Sequence, residues 1–160
     1  MRFLWIIVAF LSSPVLAQDF PTANAGDWHG VGVQIDGFDW GISVVIGPKV
    51  SEVEYPSLNC GGQWTYLKVT DEQILASERI TVGIDECLDG GLIRVSTHDE
   101  SSLIYRWFDH AGKVAAAAIL IEGDLDVNNY KALLSLTIDA MGIDFIEGPD
   151  AIITVGENKT

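Results

Sequence analysis

Glu78 is the carboxylate whose position says most about chemistry. It lies in a run where Ile74, Ala76, Ile80 and Val82 alternate with other residues, and alternation of period two marks a strand with one buried face. Glu78 shares their parity and is expected to point inward with them. A buried carboxylate is protonated or paired. Arg94 and Arg106, on neighbouring strands of mixed face, are the available partners. Three roles are open to Glu78: an interior ion pair that pins strand register, a grip on a ligand, or an acid or base in catalysis. The last normally needs a second carboxylate tuned against the first, and none is visibly paired with Glu78.

The other titratable groups offer less. A serine-hydrolase arrangement has no anchor, because the chain lacks Gly-x-Ser-x-Gly and its histidines, His29, His98 and His110, fall in or beside turns. His98-Asp99-Glu100 and Asp109-His110 could converge as nitrogen and oxygen ligands for a divalent metal, but that spacing is unspecific and a charged rim is the simpler reading. Asp124-x-Asp126-x-Asn128 repeats the opening of a calcium loop. It carries Asn129 where the loop needs Gly and Ser135 where it needs a bidentate Glu, so it reads as an acidic helix start. Asp85, Glu86 and Asp89 around Cys87 could hold calcium weakly or meet a basic partner, although a solvated loop explains them. The expectation is a non-enzymatic chain without catalytic residues, metal or cofactor.

Trp28, Trp40, Trp64 and Trp107 are the remaining candidates. Large aromatics can fill a small barrel, or they can line a ligand cavity within one. With Glu78, Arg94 and Arg106 they form the candidate ligand or core set.

The elements that would position these groups are mostly strands. Alternation and turn signals mark eight: 29–35, 39–46, 50–55, 63–70, 73–82, 92–97, 102–108 and 114–121. Val31, Val33 and Ile35 alternate in the first, and Leu103, Tyr105 and Trp107 in the seventh. Short links imply antiparallel neighbours, and eight such strands can close into an up-and-down barrel without an open edge; a two-layer sandwich is the alternative. The segment 114–121 does not alternate. It is a helix or a strand covered on both faces, and the tight link before it with its β-branched end favours the strand. Its alanines would admit a close neighbour, expected to be a helix over 129–141 with Tyr130, Leu134, Ile138 and Met141 on one face, Asn128 at its start and Gly142 at its end. A further strand within 144–155 and a tail would complete an all-β chain with a short C-terminal helix.

Composition bounds the partners. Among 160 residues, 23 are Asp or Glu and 9 are Lys or Arg, a formal charge of −14. Nucleic acid is disfavoured, because a polyanion is held by clustered cations, and so are anionic lipid surfaces. Residues 1–17 have one basic residue, an apolar centre, a Ser-Ser-Pro break and an exit at Ala17, the pattern of a secretory signal peptide. After its removal, no segment is long enough to remain stably inserted in a membrane. The expected organisation is a leader at 1–17, a linker at 18–27, a barrel domain at 28–122 and a helical and extended appendage at 123–160, in the periplasm or outside the cell. Cys60 and Cys87 are an even pair in a compartment that permits disulfides. A reactive thiol and a metal ligand are the rival readings, which the lack of Cys-x-x-Cys weakens.

The stretch Tyr55-Pro56-Ser57-Leu58-Asn59-Cys60-Gly61-Gly62-Gln63-Trp64, followed by Ser77-Glu78-Arg79-Ile80-Thr81-x-Gly83, Cys87-x-Asp89-Gly90-Gly91 and Tyr105-x-Trp107, resembles a pattern of uncharacterised extracytoplasmic bacterial domains. These look like small secreted β modules, free or attached to larger proteins such as signalling kinases, and the resemblance runs from about Trp28 to Leu120. It implies fold, compartment and a cysteine pair suited to bonding, without naming a reaction. The functional expectation is an exported β domain that binds a protein or envelope partner. A lipocalin-like carrier of a small apolar ligand, or an acidic inhibitor of a basic cell-wall hydrolase, are the alternatives.

Overall fold

Alternating apolar residues need somewhere to bury their inner face, and in this chain eight strands bury it by closing on one another. The computed structural model describes residues 18–141, 143–145 and 153–155; the leader expected at 1–17 and the helix-ending Gly142 lie outside the described residues. The strands are β1 (Gly26–Gln34), β2 (Asp39–Ile46), β3 (Val50–Tyr55), β4 (Cys60–Val69), β5 (Gln73–Val82), β6 (Leu92–Asp99), β7 (Ser102–Phe108) and β8 (Val114–Glu122). Each pairs antiparallel with the next, and β1 also pairs with β8, so the sheet is a closed eight-stranded up-and-down barrel. Exposed Glu52, Glu54, Gln63, Thr65 and Arg94 occupy its outer face. An apolar inside and polar outside is the reverse of the lipid-facing pattern of a transmembrane barrel. No helix among the described residues is long and apolar enough to cross a membrane.

Parity differs from expectation in two strands. In β1, Trp28 belongs to the interior cluster while Val31 packs outward with Ile104, Ile119 and Leu133. The inward positions that follow Trp28 are Gly30 and Gly32; a Cβ on Gly32 would lie 2.4 Å from the Trp40 ring. Ile35, expected inside with Val31 and Val33, lies beyond β1 and is 49% exposed. In β5, Ile74, Ala76, Glu78 and Ile80 point inward, but Val82 is 63% exposed. Gly62 pairs with Ile80 and Gly61 with Val82, so a bulge absorbs one residue and turns the strand end outward.

The non-alternating segment is the strand β8, buried on both faces: Ala118 and Leu120 inside, Ile119 outside. Its cover is helix α2 (Val127–Met141). The helix begins two residues earlier than expected, and its start is capped by Asp126 rather than Asn128, with the Asn129 N–H donating to Asp126 Oδ1 at 2.8 Å. Its most buried positions are Leu133 and Thr137, between the apolar residues that periodicity selected. The buried Thr137 hydroxyl accepts from Ile119 N at 3.0 Å and donates to Val31 O at 2.9 Å. Val31 and Ile119 are direct partners across the β1–β8 junction, so α2 bolts the seam where the barrel closes. After α2, β9 (Ile143–Phe145) and β10 (Ile153–Val155) pair antiparallel.

A one-turn helix, α1 (Phe20–Ala23), precedes the barrel. Phe20 is fully buried in the interior cluster, and its N–H donates to Thr70 O at 2.9 Å in the β4–β5 turn. The Trp28 indole N–H donates to Asn24 O at 2.9 Å. Phe20 and Trp28 together fill the barrel end opposite the β1–β2 turn.

Candidate functional site

The other end holds a cavity of about 370 Å³. Its mouth is formed by Gln34 at the end of β1 with Ile35 and Asp36 after it, by Glu86, Cys87 and Leu88 between β5 and β6, and by Ala115 and Ala116 in β8. Trp40, Tyr55, Tyr105 and Trp107 wall it, with Leu58 and Ile80, and Glu78 lies at its base. Apart from Leu58, which follows β3 in a short 3-10 turn, these side chains come from the four strands β2, β3, β5 and β7 and meet there because each has inward parity near the same barrel end.

The aromatic wall is one connected cluster. Trp40 meets Tyr55 edge-on at 5.2 Å between ring centroids and Tyr105 edge-on at 6.1 Å. Tyr105 in turn stacks on Trp64 at 5.4 Å. Edge-to-face and offset contacts of this kind fix ring orientation beyond simple area burial. The Trp40 indole N–H is buried and has no hydrogen-bond partner among the described residues. Gly91 makes room for the last wall member: a Cβ there would lie 1.8 Å from Trp107 Nε1.

Glu78 is 5% exposed and is held by neutral donors. The Trp64 indole donates to Glu78 Oε1 at 3.0 Å, and the Tyr55 hydroxyl donates to the same oxygen. Tyr55 and Tyr105 hydroxyls lie 3.4 Å apart. Because Tyr55 spends its proton on Glu78, Tyr105 is the donor in that contact, and a relay runs from Tyr105 through Tyr55 to Glu78. Burial raises the Glu78 pKa above the ordinary carboxylate range, against the lowering effect of its Tyr55, Trp64 and Trp107 hydrogen bonds, and the charge of Asp89 adds to the rise. Burial also pushes Tyr55 and Tyr105 well above the usual phenol range, so both remain donors.

The expected ion pair is not what holds Glu78. Arg94 and Arg106 face each other on β6 and β7, with Arg94 exposed and its guanidinium 5.1 Å from the Phe108 ring centroid. Partial burial and the neighbouring Arg94 lower the Arg106 pKa. They sit on the outer face because Ile93, Val95 and Tyr105 take the inward positions of those strands.

Cys60 and Cys87 are joined in a disulfide, with Cα atoms 6.3 Å apart. The bond ties the β5–β6 loop, source of Glu86, Cys87 and Leu88, to the start of β4. The same loop is fastened again where Ile80 N donates to Asp89 Oδ1 at 2.7 Å and Glu78 N donates to Gly91 O at 2.9 Å.

Of the sequence-derived set, Trp40, Trp107 and Glu78 line the cavity, Trp64 supports its base from behind, Trp28 plugs the opposite end, and Arg94 and Arg106 lie outside. Tyr55 and Tyr105 were missed as site residues. Their signal was their parity, Tyr55 two after Val53 and Tyr105 midway between Leu103 and Trp107.

Three of the other acidic candidates, Asp99, Asp109 and Asp126, serve the backbone. Asp99 Oδ1 accepts from Ser101 N at 2.8 Å, Asp109 Oδ1 from Ala111 N at 2.8 Å and Lys113 N at 2.9 Å, and Asp126 caps α2. His29 Nδ1 lies 3.0 Å from Ser43 Oγ. No group of three or more His, Cys, Asp or Glu among the described residues is placed to hold a metal ion.

Fold and site together define a closed β-barrel with an aromatic cup at one end. In comparisons with known proteins, no family model, curated protein or solved structure matched this chain.

Proposed function

We propose that this chain is an exported, non-enzymatic barrel that binds a small molecule in the cup. The observation that carries the reading is the cavity itself: about 370 Å³ walled by Trp40, Tyr55, Tyr105 and Trp107, within the range of small-ligand sites and with the expected few polar groups among apolar walls. A barrel that used its aromatics only as filler would leave no such space. The disulfide and the leader pattern at 1–17 support the exported location.

Titration of intrinsic tryptophan fluorescence with a panel of apolar, zwitterionic and charged small molecules tests it, because Trp40 and Trp107 line the cup. At least one class should change the emission and raise the melting temperature, and Ala116→Trp, which fills the cup from β8, should abolish both effects. Silence across the panel, or binding unaffected by Ala116→Trp, would remove the proposal.

Exposed Leu88 at the mouth, with Val82 at the end of β5 and Ile84 on the connection from β5 to β6 also exposed, favours a second reading, in which a protein or envelope partner docks over it. Ile84→Glu, a change at an exposed residue outside the cup lining, should then eliminate retention of envelope proteins on the immobilised chain while leaving small-molecule titrations unchanged.

A further inference from the structure

The cup contains a charge pattern that an apolar carrier does not need. Its ionisable lining residues other than the two wall tyrosines are Asp36, Glu78 and Glu86, and no Lys, Arg or His among the described residues lines it. An anionic ligand would meet carboxylates at the base and at the mouth. A neutral apolar ligand would gain nothing from a carboxyl at the bottom of the cavity, which is costly to desolvate.

We propose that the ligand is a small organic cation, an alkylated or quaternary ammonium, seated with its charge toward Glu78 and against the faces of Trp40, Tyr105 and Trp107. The inference rests on the small-molecule reading above and names the ligand's chemistry. Aromatic rings present negative faces to cations, and cages of Trp and Tyr are the usual way proteins hold quaternary ammonium groups. Trp64 and Tyr55 hold Glu78 Oε1 from the barrel side. A carboxylate accepts at about four positions and Tyr55 and Trp64 both donate to the one oxygen Oε1, so the group is oriented yet keeps capacity for a further contact. The two arginines that might have neutralised it lie on the outer face, leaving the countercharge for a ligand to supply. The net charge of −14 and the acidic mouth draw cations in by long-range steering.

The test uses calorimetric titration of the full chain with choline, with benzyltrimethylammonium and with the neutral tert-butyl isostere of choline. Choline or benzyltrimethylammonium should bind about tenfold or more tightly than the isostere, the difference a buried cation–aromatic contact supplies. Glu78→Gln, which keeps the shape of the group and an amide oxygen for Trp64, should lose about tenfold in cation affinity while leaving the isostere unchanged; Trp107→Leu should do the same from the wall. Melting curves of both variants establish that they are folded. If the isostere or another apolar molecule binds as tightly as the cations, or if Glu78→Gln binds them unchanged, the cation assignment is wrong while the small-molecule function stands. If neither these probes nor the wider panel bind, both fail together.

Discussion

Trp64 and Glu78 face each other across β4 and β5, and the Trp64 indole N–H donates to the Glu78 carboxyl at 3.0 Å. One residue is a large aromatic and the other an acid, yet they form a single buried unit at the base of the cup, and neither needs an ion pair. No cationic side chain offsets the effect of burial on the Glu78 pKa, and that has a thermodynamic signature.

Burial raises the Glu78 pKa, so the folded chain holds this proton to higher pH than the unfolded chain does. The stability associated with it is complete below the ordinary carboxylate range and is lost as pH rises through the raised value. The difference in melting temperature between wild type and Glu78→Gln should therefore fall steadily over that interval. Parallel thermal melts across pH check it; identical pH slopes for the two proteins would refute the shift.

Breaking the Cys60–Cys87 bond opens a loop of 27 residues, which on the chain-entropy account costs about 3–4 kcal/mol. Cys60→Ser should lower the melting temperature by roughly 10 °C. Fluorescence titration of the same variant should show weakened ligand binding, because the rim residues Glu86 and Leu88 lose their tether. An unchanged melting curve under oxidising conditions would mean that the bond contributes little.

Removing the Thr137 hydroxyl strands the Ile119 N–H and the Val31 carbonyl beneath α2. Thr137→Val should cost about 2 kcal/mol, the range for leaving a buried backbone group unsatisfied, while Thr137→Ser should retain most of the stability. Amide hydrogen exchange at Ile119 should accelerate selectively in the Val variant. Exchange that rises uniformly over the barrel would show that the hydroxyl has no special role at the seam.

Gly32 is an inward position occupied by the Trp40 indole, and a methyl there would come within 2.4 Å of the ring. Gly32→Ala should destabilise by about 1–3 kcal/mol, as overpacked cores do, and should change the tryptophan emission because Trp40 has to move. An alanine variant with wild-type emission and stability would mean that β1 yields instead of the ring.

Strand positions were highly legible in the sequence: β2, β3, β5 and β7 occupy the spans that alternation and turn residues mark. Alternation separates two faces of a strand but does not say which is inside when both are buried. In β1 the bulky Val31 faces the helix while Gly32 faces the core, so hydrophobicity pointed to the wrong face. Val82 was misread for a local reason, since a bulge in the β4–β5 pairing is invisible until the partner strand is known. The inward direction of Glu78 was readable, its partners were not. Tyr55 and Trp64 lie 23 and 14 residues away and pass for apolar core residues, whereas arginines draw the eye as counterions. Thr137 escaped for the opposite reason: a polar side chain is an unlikely choice for the centre of a helix face until two backbone groups are found waiting for it.

Phe20 and Trp28 pack into the interior at the far end of the barrel, so a molecule bound in the proposed cup would leave by the door through which it came. With one passage for both journeys, the loop at Glu86, Cys87 and Leu88 would be a common threshold. Changes there that leave the seated state untouched will speed or slow arrival and departure by the same factor, altering how long equilibrium takes to reach without moving its position.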